Sequence, residues 1–308
     1  MLSSRRTHDR VTVRAPGKIN LHLSVGRRRP DGFHDLTTVF HAVGLYDDVE
    51  LVRADRLTVT VTGEGAGLVP LDGSNLAVRA IHLIAGHTGH EPTLEVRIHK
   101  GIPVAGGCAG GSADAAAALV GCDALWGTAL PKDELAVLGA QLGSDVPFSL
   151  HGGTALGTGR GERLTAVLGQ GSYSWVLALS EGGLSTPAVY GQLDRQRETG
   201  PVGIVRDPAH VLAALRQGDA VALGRALDND LQAAALVLQP SLRQLLDTGR
   251  DLGALGVVVS GSGPTVALLA RDDGHAVALA SALDGHDVCA AVRRADGPVT
   301  GARVVAAA

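Results

Sequence analysis

The sequence at residues 101–118 is GIPVAGGCAGGSADAAAA. Its glycines are followed by Ser112 and then by an alanine run at 115–118. Because alanine is the best helix former and serine is a preferred N-cap, the stretch predicts a glycine loop and a helix that Ser112 caps. Free backbone N–H groups and the positive end of the helix dipole meet at such a junction, and glycine lets an anion approach the backbone. The stretch predicts a site for nucleotide phosphates, with a plain glycine turn before an ordinary helix as the alternative.

The loop matches neither of the two common phosphate-binding motifs. The chain contains no GxxxxGK[ST] sequence and no GxGxxG sequence. These absences exclude a Walker A loop and a Rossmann fingerprint as the origin of the predicted phosphate site.

Length and composition limit the classes of function. The 308 residues are enough for two domains. A net charge of −4 argues against nucleic acid as a partner, because such proteins carry a basic stripe. The three cysteines form no CxxC pair, which indicates a reducing compartment. The start, MLSSRRTHDR, has no apolar stretch typical of a signal peptide, and no run of 18 apolar residues predicts a membrane span, so we expect a cytoplasmic protein.

Periodicity predicts a mixture of strands and helices. The first half is strand-rich, and Pro16 is expected to divide residues 10–25 into two strands, because proline interrupts strand pairing. A boundary is expected near residues 160–172, followed by a smaller α+β unit. The other predicted strands are 37–43, 48–53, 57–62, 93–99, 175–179, 255–260, 266–270 and 286–293. The predicted helices are 76–84, 132–142, 208–216, 220–227, 231–237, 240–248 and 273–284, with the segment 182–189 leading into another short helix.

Two charged residues are candidates for chemistry. Lys18 follows a Pro-Gly turn between predicted strands and could stabilise charge on a transferring phosphoryl group, although a solvated surface lysine is the more common case. Asp145 precedes Val146 and Pro147, so it could be a general base or simply the N-cap of a helix. Both alternatives stay open for each residue.

A second glycine loop, SGSGPT at 260–265, follows a predicted buried strand. It could close over a reacting phosphate or form only a tight turn between strands. Ser112 likewise could contact a phosphate or only cap its helix.

Three separated motifs are similar to those of a known family. They are RAPGKINLHL at 14–23, IPVAGGCAGGSADAAAAL at 102–119 and VSGSGPTVALL at 259–269, and together they resemble the three motifs of the GHMP small-molecule kinases over nearly the whole chain. The resemblance implies an α+β, two-domain GHMP kinase fold. It implies an ATP-binding domain like ribosomal protein S5 at residues 1–165 and a ferredoxin-like domain at 166–308. It also implies ATP and Mg²⁺ as cofactors, the ion being held largely by phosphates and water, with no protein ligand named.

Two further stretches narrow the resemblance within the family. PGKINLHLSVGRRRPDGFHDLTTVF at 16–40 and GSDVPFSLHGGTALGTGRGE at 143–162 are similar to the branch that phosphorylates a cytidylyl sugar alcohol in the non-mevalonate isoprenoid pathway. This implies small-molecule partners, ATP and that alcohol. A homoserine-type or mevalonate-type GHMP kinase and a non-catalytic nucleotide-binding protein on the same scaffold remain the alternatives.

The resemblance also implies a role for individual residues. Lys18 and Asp145 match the catalytic pair, in which the carboxylate takes the proton of the substrate hydroxyl and the ammonium steadies the carboxylate and the phosphoryl group. Cys108 and Ala109 stand where Leu-Gly is usual, and Cys108 is expected to be buried and not catalytic. The residues that match substrate contacts are Asn20, Phe33 (usually Tyr), His34, Thr186 and Tyr190. The residues that match the ATP loop are Pro103, Val104, Ala105, Gly106, Gly107, Cys108, Ala109, Gly110, Gly111 and Ser112.

Overall fold

The computed structural model of the chain describes residues 8–104, 106–198 and 205–308. Two β-sheets and their helices make up this part of the chain. In chain order, the strands are β1 (Arg10–Arg28), β2 (His34–Arg53), β3 (Thr58–Gly63), β4 (Leu94–Lys100), β5 (Thr154–Gly159), β6 (Arg163–Ala166), β7 (Tyr173–Leu179), β8 (Asp228–Asn229), β9 (Gly256–Val259), β10 (Val266–Leu269), β11 (Ala291–Gly297) and β12 (Arg303–Ala307). The helices are α1 (Leu76–Thr88), α2 (Gly110–Trp126), α3 (Lys132–Leu142), α4 (Val146–His151), α5 (Thr186–Glu198), α6 (Ala209–Gln217), α7 (Ala220–Ala226), α8 (Gln232–Leu238), α9 (Ser241–Asp251) and α10 (Asp273–Asp284).

The first sheet is built around the antiparallel pair β1 and β2. Its main order is β12-β1-β2-β4-β3, and β5, β6 and β8 join it at β2, β5 and β1 respectively. The prediction that Pro16 separates two strands is wrong, because β1 runs without a break from Arg10 to Arg28. A register shift between Pro16 and Gly17 accommodates the proline, which has no N–H to donate to the ladder. This irregularity lies directly before Lys18.

The helices on the first sheet bury an apolar core. Helix α1 begins after Asn75, whose side chain caps the helix by accepting a hydrogen bond from the Ala77 N–H. Helix α2 is buried on nearly all sides. Its small residues, the alanines and Gly121, let it lie close to the sheet. A Cβ on Gly121 would be only 2.6 Å from Leu51 Cδ1.

Helix α2 begins earlier than predicted. Its N-cap position is occupied by Ala109, which has a φ of 60° and gives no side-chain cap, and the first helical residue is Gly110. The prediction that Ser112 caps the helix is therefore wrong, because a cap needs a non-helical backbone and Ser112 already lies in the first turn. Helix α3, in contrast, runs from Lys132 to Leu142 as predicted.

The second sheet has the order β11-β7-β10-β9 and is antiparallel throughout. In chain order this is fourth, first, third, second, with helices in the first and last connections, as in a ferredoxin-like fold. Strands β8 and β12 pair with β1, so the first sheet contains residues from both halves of the chain. The division at residue 165 stays a prediction. None of the helices in the described ranges has the length and hydrophobicity that crossing a bilayer requires.

Candidate functional site

A cavity of about 700 Å³ contains most of the residues that the sequence predicts for the site. Its wall is formed by β1, β2, the glycine loop before α2, the start of α4, helix α5 and the second glycine loop. The predicted residues that line it are Lys18, Asn20, Phe33, His34, Pro103, Gly106, Gly107, Ala109, Gly110, Gly111, Ser112, Asp145, Thr186 and Tyr190.

Two of the predicted loop residues that the structure describes, Val104 and Cys108, do not line the cavity. Cys108 is fully buried, and burial raises the pKa of its thiol, so the expectation of an inert cysteine fits its surroundings. Val104 lies beside Gly65, where an added Cβ would be 3.0 Å from the Val104 Cγ2. Ala105 lies outside the described residues, as do residues 1–7, which carry most of the start assessed above for a signal peptide.

Lys18 is held by the glycine loop and by its own strand. Its Nζ donates hydrogen bonds to Asn20 Oδ1 at 2.8 Å and to the Gly107 carbonyl at 3.0 Å. Its backbone N–H donates to the Cys108 carbonyl at 3.1 Å. Lys18 is 5% exposed, so the alternative of a solvated surface lysine does not apply. The register shift between Pro16 and Gly17 is therefore followed directly by a buried lysine whose ammonium faces the glycine loop.

Asp145 completes a pair with Lys18, its Oδ2 lying 3.6 Å from the Lys18 Nζ. Asp145 occupies the N-cap position of α4, with Pro147 in the first turn, but its side chain forms no capping hydrogen bond. Both alternatives that the sequence left open therefore apply to Asp145, each to a different part of the residue. The backbone starts the helix, while the carboxylate, which is 32% exposed, lines the cavity beside the cation.

The two glycine loops touch each other. Gly107 has a φ of 78°, and a Cβ there would collide with the Ser260 carbonyl oxygen and lie 3.0 Å from that of Gly263. Ser260 Oγ donates to the Gly107 carbonyl at 3.2 Å, and the Thr265 N–H donates to the Gly106 carbonyl at 3.3 Å. The second loop is thus a tight connection between β9 and β10 and also one wall of the cavity.

Aromatic and polar side chains from β2 and α5 also line the cavity. The His34 and Tyr190 rings lie 5.1 Å apart between centroids, at 35°. Burial, with a smaller effect of the Asp145 charge, raises the pKa of the Tyr190 phenol, so it stays neutral. Thr186 Oγ1 lies 2.9 Å from Ser262 Oγ, which links α5 to the second loop.

Sequence analysis missed several residues of this site. His34 Nε2 bonds to Asp194 Oδ1 at 2.8 Å, and the Arg160 guanidinium carbon lies 4.8 Å from the centroid of the half-exposed Phe33 ring. Asp194 could have been found, because it stands four residues after Tyr190 and so shares its face of helix α5. No local sequence pattern indicated Arg160, because its partner Phe33 lies in a different loop, the one between β1 and β2.

Two side chains hold the site residues in place. Thr38 Oγ1 accepts from Asn20 Nδ2 at 2.8 Å and donates to the His22 carbonyl at the same distance. Asn229 Nδ2 donates to the Val259 and Gly261 carbonyls at 2.8 and 2.7 Å. Among the residues that the structure describes, no three His, Cys, Asp or Glu side chains gather as a possible metal cage.

Comparison with known proteins gives the family of this chain. The GHMP kinases N terminal domain matches residues 75–153, and the GHMP kinases C terminal domain matches residues 211–287. A relative from Nocardia farcinica, named 4-diphosphocytidyl-2-C-methyl-D-erythritol kinase, is 57% identical over 96% of this chain and 96% of its own length. A relative of the same name from Mycobacterium tuberculosis is 54% identical over 96% of this chain and 93% of its own.

Solved structures agree with this assignment. A crystal structure of 4-(cytidine 5'-diphospho)-2C-methyl-D-erythritol kinase has a TM-score of 0.76 and 31% identity, and the match covers 94% of this chain and 99% of that one. A mevalonate kinase from L. major has the same fold, with a TM-score of 0.74 at 16% identity over 97% of this chain and 98% of that one. The fold, the paired glycine loops and these relatives together place the chain in the 4-diphosphocytidyl-2-C-methyl-D-erythritol kinase family of the GHMP kinases.

Proposed function

We propose that the chain transfers the γ-phosphoryl group of ATP to the 2-hydroxyl of 4-diphosphocytidyl-2-C-methyl-D-erythritol, giving the 2-phosphate and ADP in the non-mevalonate isoprenoid pathway. The observation that carries this proposal is the Lys18–Asp145 pair, which lines the same cavity as the glycine loop and the His34–Tyr190 rings. Relatives that are more than half identical over nearly their whole length are named for this activity.

The glycine loop would hold the ATP phosphates. Its residues lead into the N-terminus of α2, where backbone N–H groups have no partner inside the helix and the dipole favours an anion. Gly110 and Gly111 present backbone without side chains to the cavity. Mg²⁺ would be bound largely by the ATP phosphates and water and would neutralise phosphate charge.

Asp145 would act as the general base. Its carboxylate would accept the proton of the substrate hydroxyl while that oxygen forms a bond to the γ-phosphorus and the bond to the ADP oxygen breaks. Lys18 would lie beside both the carboxylate and the transferring group. Because its ammonium already donates to Asn20 and Gly107, it is held in place before the substrates bind and reorganises little during the reaction.

The other end of the cavity would hold the cytidine. His34 and Tyr190 provide ring surfaces, and Phe33 keeps a stacking face although it lacks a phenol hydroxyl. Thr186 and Asn20 would supply polar contacts to the substrate. We place this activity in the cytoplasm, with residues 1–165 and 166–308 as its two domains.

A panel of acceptors tests the proposal. ADP release is measured with the cytidylyl alcohol, homoserine, mevalonate and no acceptor, at the same ATP concentration. We expect turnover only with the cytidylyl alcohol. Turnover with homoserine or mevalonate alone would assign another GHMP kinase activity, and ATP binding without any turnover would assign a non-catalytic nucleotide-binding protein.

A further inference from the structure

Three charged side chains are buried together beneath the glycine loop. Lys100 Nζ donates to Asp47 Oδ2 and, at 2.6 Å, to Asp114 Oδ2. Each of the three residues is at most 3% exposed. Burying a set of charges costs more than burying apolar side chains of similar size, so stability alone gives little reason for this cluster.

The cluster connects both ends of the glycine loop. Lys100 ends β4, and Asp47 Oδ1 accepts hydrogen bonds from the Gly101 and Ile102 N–H groups at 2.8 and 2.9 Å, where the loop begins. Asp114 lies in α2, just after the loop. A Cβ on Gly110, the first residue of α2, would be 3.3 Å from Lys100 Nζ. The charges therefore lie directly under the helix N-terminus that would bind phosphates.

When both carboxylates are ionised, the cluster carries one more negative charge than the Lys100 ammonium can balance. Asp114 Oδ1 is buried and has no hydrogen-bond partner among the described residues. Burial, and to a smaller extent the Asp47 carboxylate, raise the pKa of Asp114 to about 7 against the opposite effect of Lys100. Lys100 and Asp47 are the charged groups that act on the pKa of Asp114; apolar side chains of α1, α3, α4 and β1 pack around α2, and Arg303 of β12 bonds to Thr300.

Phosphates at the helix N-terminus would add negative charge to the same place. A like charge nearby favours the neutral form of a carboxyl group. We propose that Asp114 is a positioning residue that takes up a proton from solvent when ATP phosphates bind to the glycine loop, so that the cluster beneath them becomes neutral. This inference rests on the proposed function of the loop as the ATP site.

Linkage gives the direction of the effect. Below pH 7 Asp114 holds its proton with or without ATP, so its contribution to ATP affinity does not change with pH. Above pH 7 the free protein loses this proton and must regain it on binding, so ATP affinity falls as pH rises. We expect the dissociation constant of MgATP to increase about fivefold between pH 7 and pH 8.5, at the low end of usual couplings between two sites.

The first experiment uses the unmodified chain. MgATP binding is measured by calorimetry at pH 7.5 in two buffers that differ in ionisation heat, which gives the number of protons taken up. We expect net uptake of a fraction of one proton. Absence of uptake would overturn the inference, whereas absence of MgATP binding at every pH would overturn the proposed function of the loop.

The second experiment identifies the group. In Asp114→Asn the dissociation constant of MgATP should not change between pH 7 and pH 8.5, while Asp133→Asn, an exposed aspartate of α3, should keep the dependence of the unmodified chain. The KM for ATP should lose its pH dependence in Asp114→Asn, while the KM for the acceptor should not change. An unaltered pH dependence in Asp114→Asn would assign the proton to another group. If this variant does not fold, the number of protons that the unmodified chain takes up on MgATP binding still tests the inference.

Discussion

Replacing Asp145 by asparagine tests the chemistry without removing the shape of the site. The substitution keeps the size of the side chain and the backbone that starts α4. Lys18 keeps its hydrogen bonds to Asn20 and Gly107, so the cation should stay in place. The variant loses one carboxylate 3.6 Å from the ammonium and the ability to accept a proton.

The structure gives the size of both effects. Because the Asp145 side chain is about a third exposed, its ion pair should contribute less than about 1 kcal/mol to the free energy of unfolding. A positioned general base is worth about 10²–10⁴ in rate, so kcat should fall by roughly that factor. The dissociation constant of ATP should change little, because in the proposed function the phosphates are bound by backbone N–H groups of the loop and not by Asp145.

Three measurements separate these effects. A coupled assay of ADP release gives kcat, calorimetry gives ATP binding, and thermal unfolding gives stability, with Asp247→Asn as a control that removes only an exposed ion pair of α9. A kcat within tenfold of the unmodified chain would show that Asp145 is not the base. A loss of ATP binding equal to the loss of kcat would show that it is a structural residue.

Three other substitutions have expected outcomes. Gly107→Ala places a methyl group against the Ser260 carbonyl at a φ of 78°, costs about 1–3 kcal/mol in backbone strain alone, and should raise the KM for ATP more than tenfold, whereas Gly73→Ala, with open space around it, should not. Arg160→Ala removes the cation over the Phe33 ring, worth about 0.5–2 kcal/mol, so the KM for the cytidylyl alcohol should rise while that for ATP stays constant in steady-state kinetics. The folded chain keeps the Asp114 proton up to about pH 7, but the unfolded chain releases it near pH 4. Relative to Asp114→Asn, the free energy of unfolding in urea should therefore decrease from about pH 4 to about pH 7 and be constant above.

Local signals were sufficient where one short segment determines its own structure. The predicted helix 132–142 has the bounds of α3, and Pro131 and Gly143 flank it, because proline suits a helix start and glycine a helix end. The start of α2 was not predictable in this way, since it depends on a left-handed Ala109, a conformation that alanine rarely adopts. The Pro16 prediction failed because β2 pairs with β1 both before and after the interruption.

Contacts between distant segments limit what sequence can show of the site. The family resemblance implied that Lys18, Asp145 and the glycine loop belong to one site, and in the structure Lys18 lies within hydrogen-bonding distance of the loop and 3.6 Å from Asp145. The buried cluster of Asp47, Lys100 and Asp114 gave no sequence signal, because each residue alone is compatible with an exposed charge. Only the folded sheet, in which β2 and β4 pair, brings the first two together.

The second glycine loop makes the surroundings of Lys18 depend on both halves of the chain. A Cβ on Gly261 would be 3.1 Å from Lys18 Nζ, so this loop forms one side of the cation's surroundings. Asn229 holds the loop through its hydrogen bonds to the Val259 and Gly261 carbonyls, and it pairs with Leu23 of β1, the strand that carries Lys18. The cation and the loop beside it are therefore fixed to the same strand. Since buried polar groups without partners are costly, Lys18 has its surroundings complete only once the later half of the chain has returned to β1.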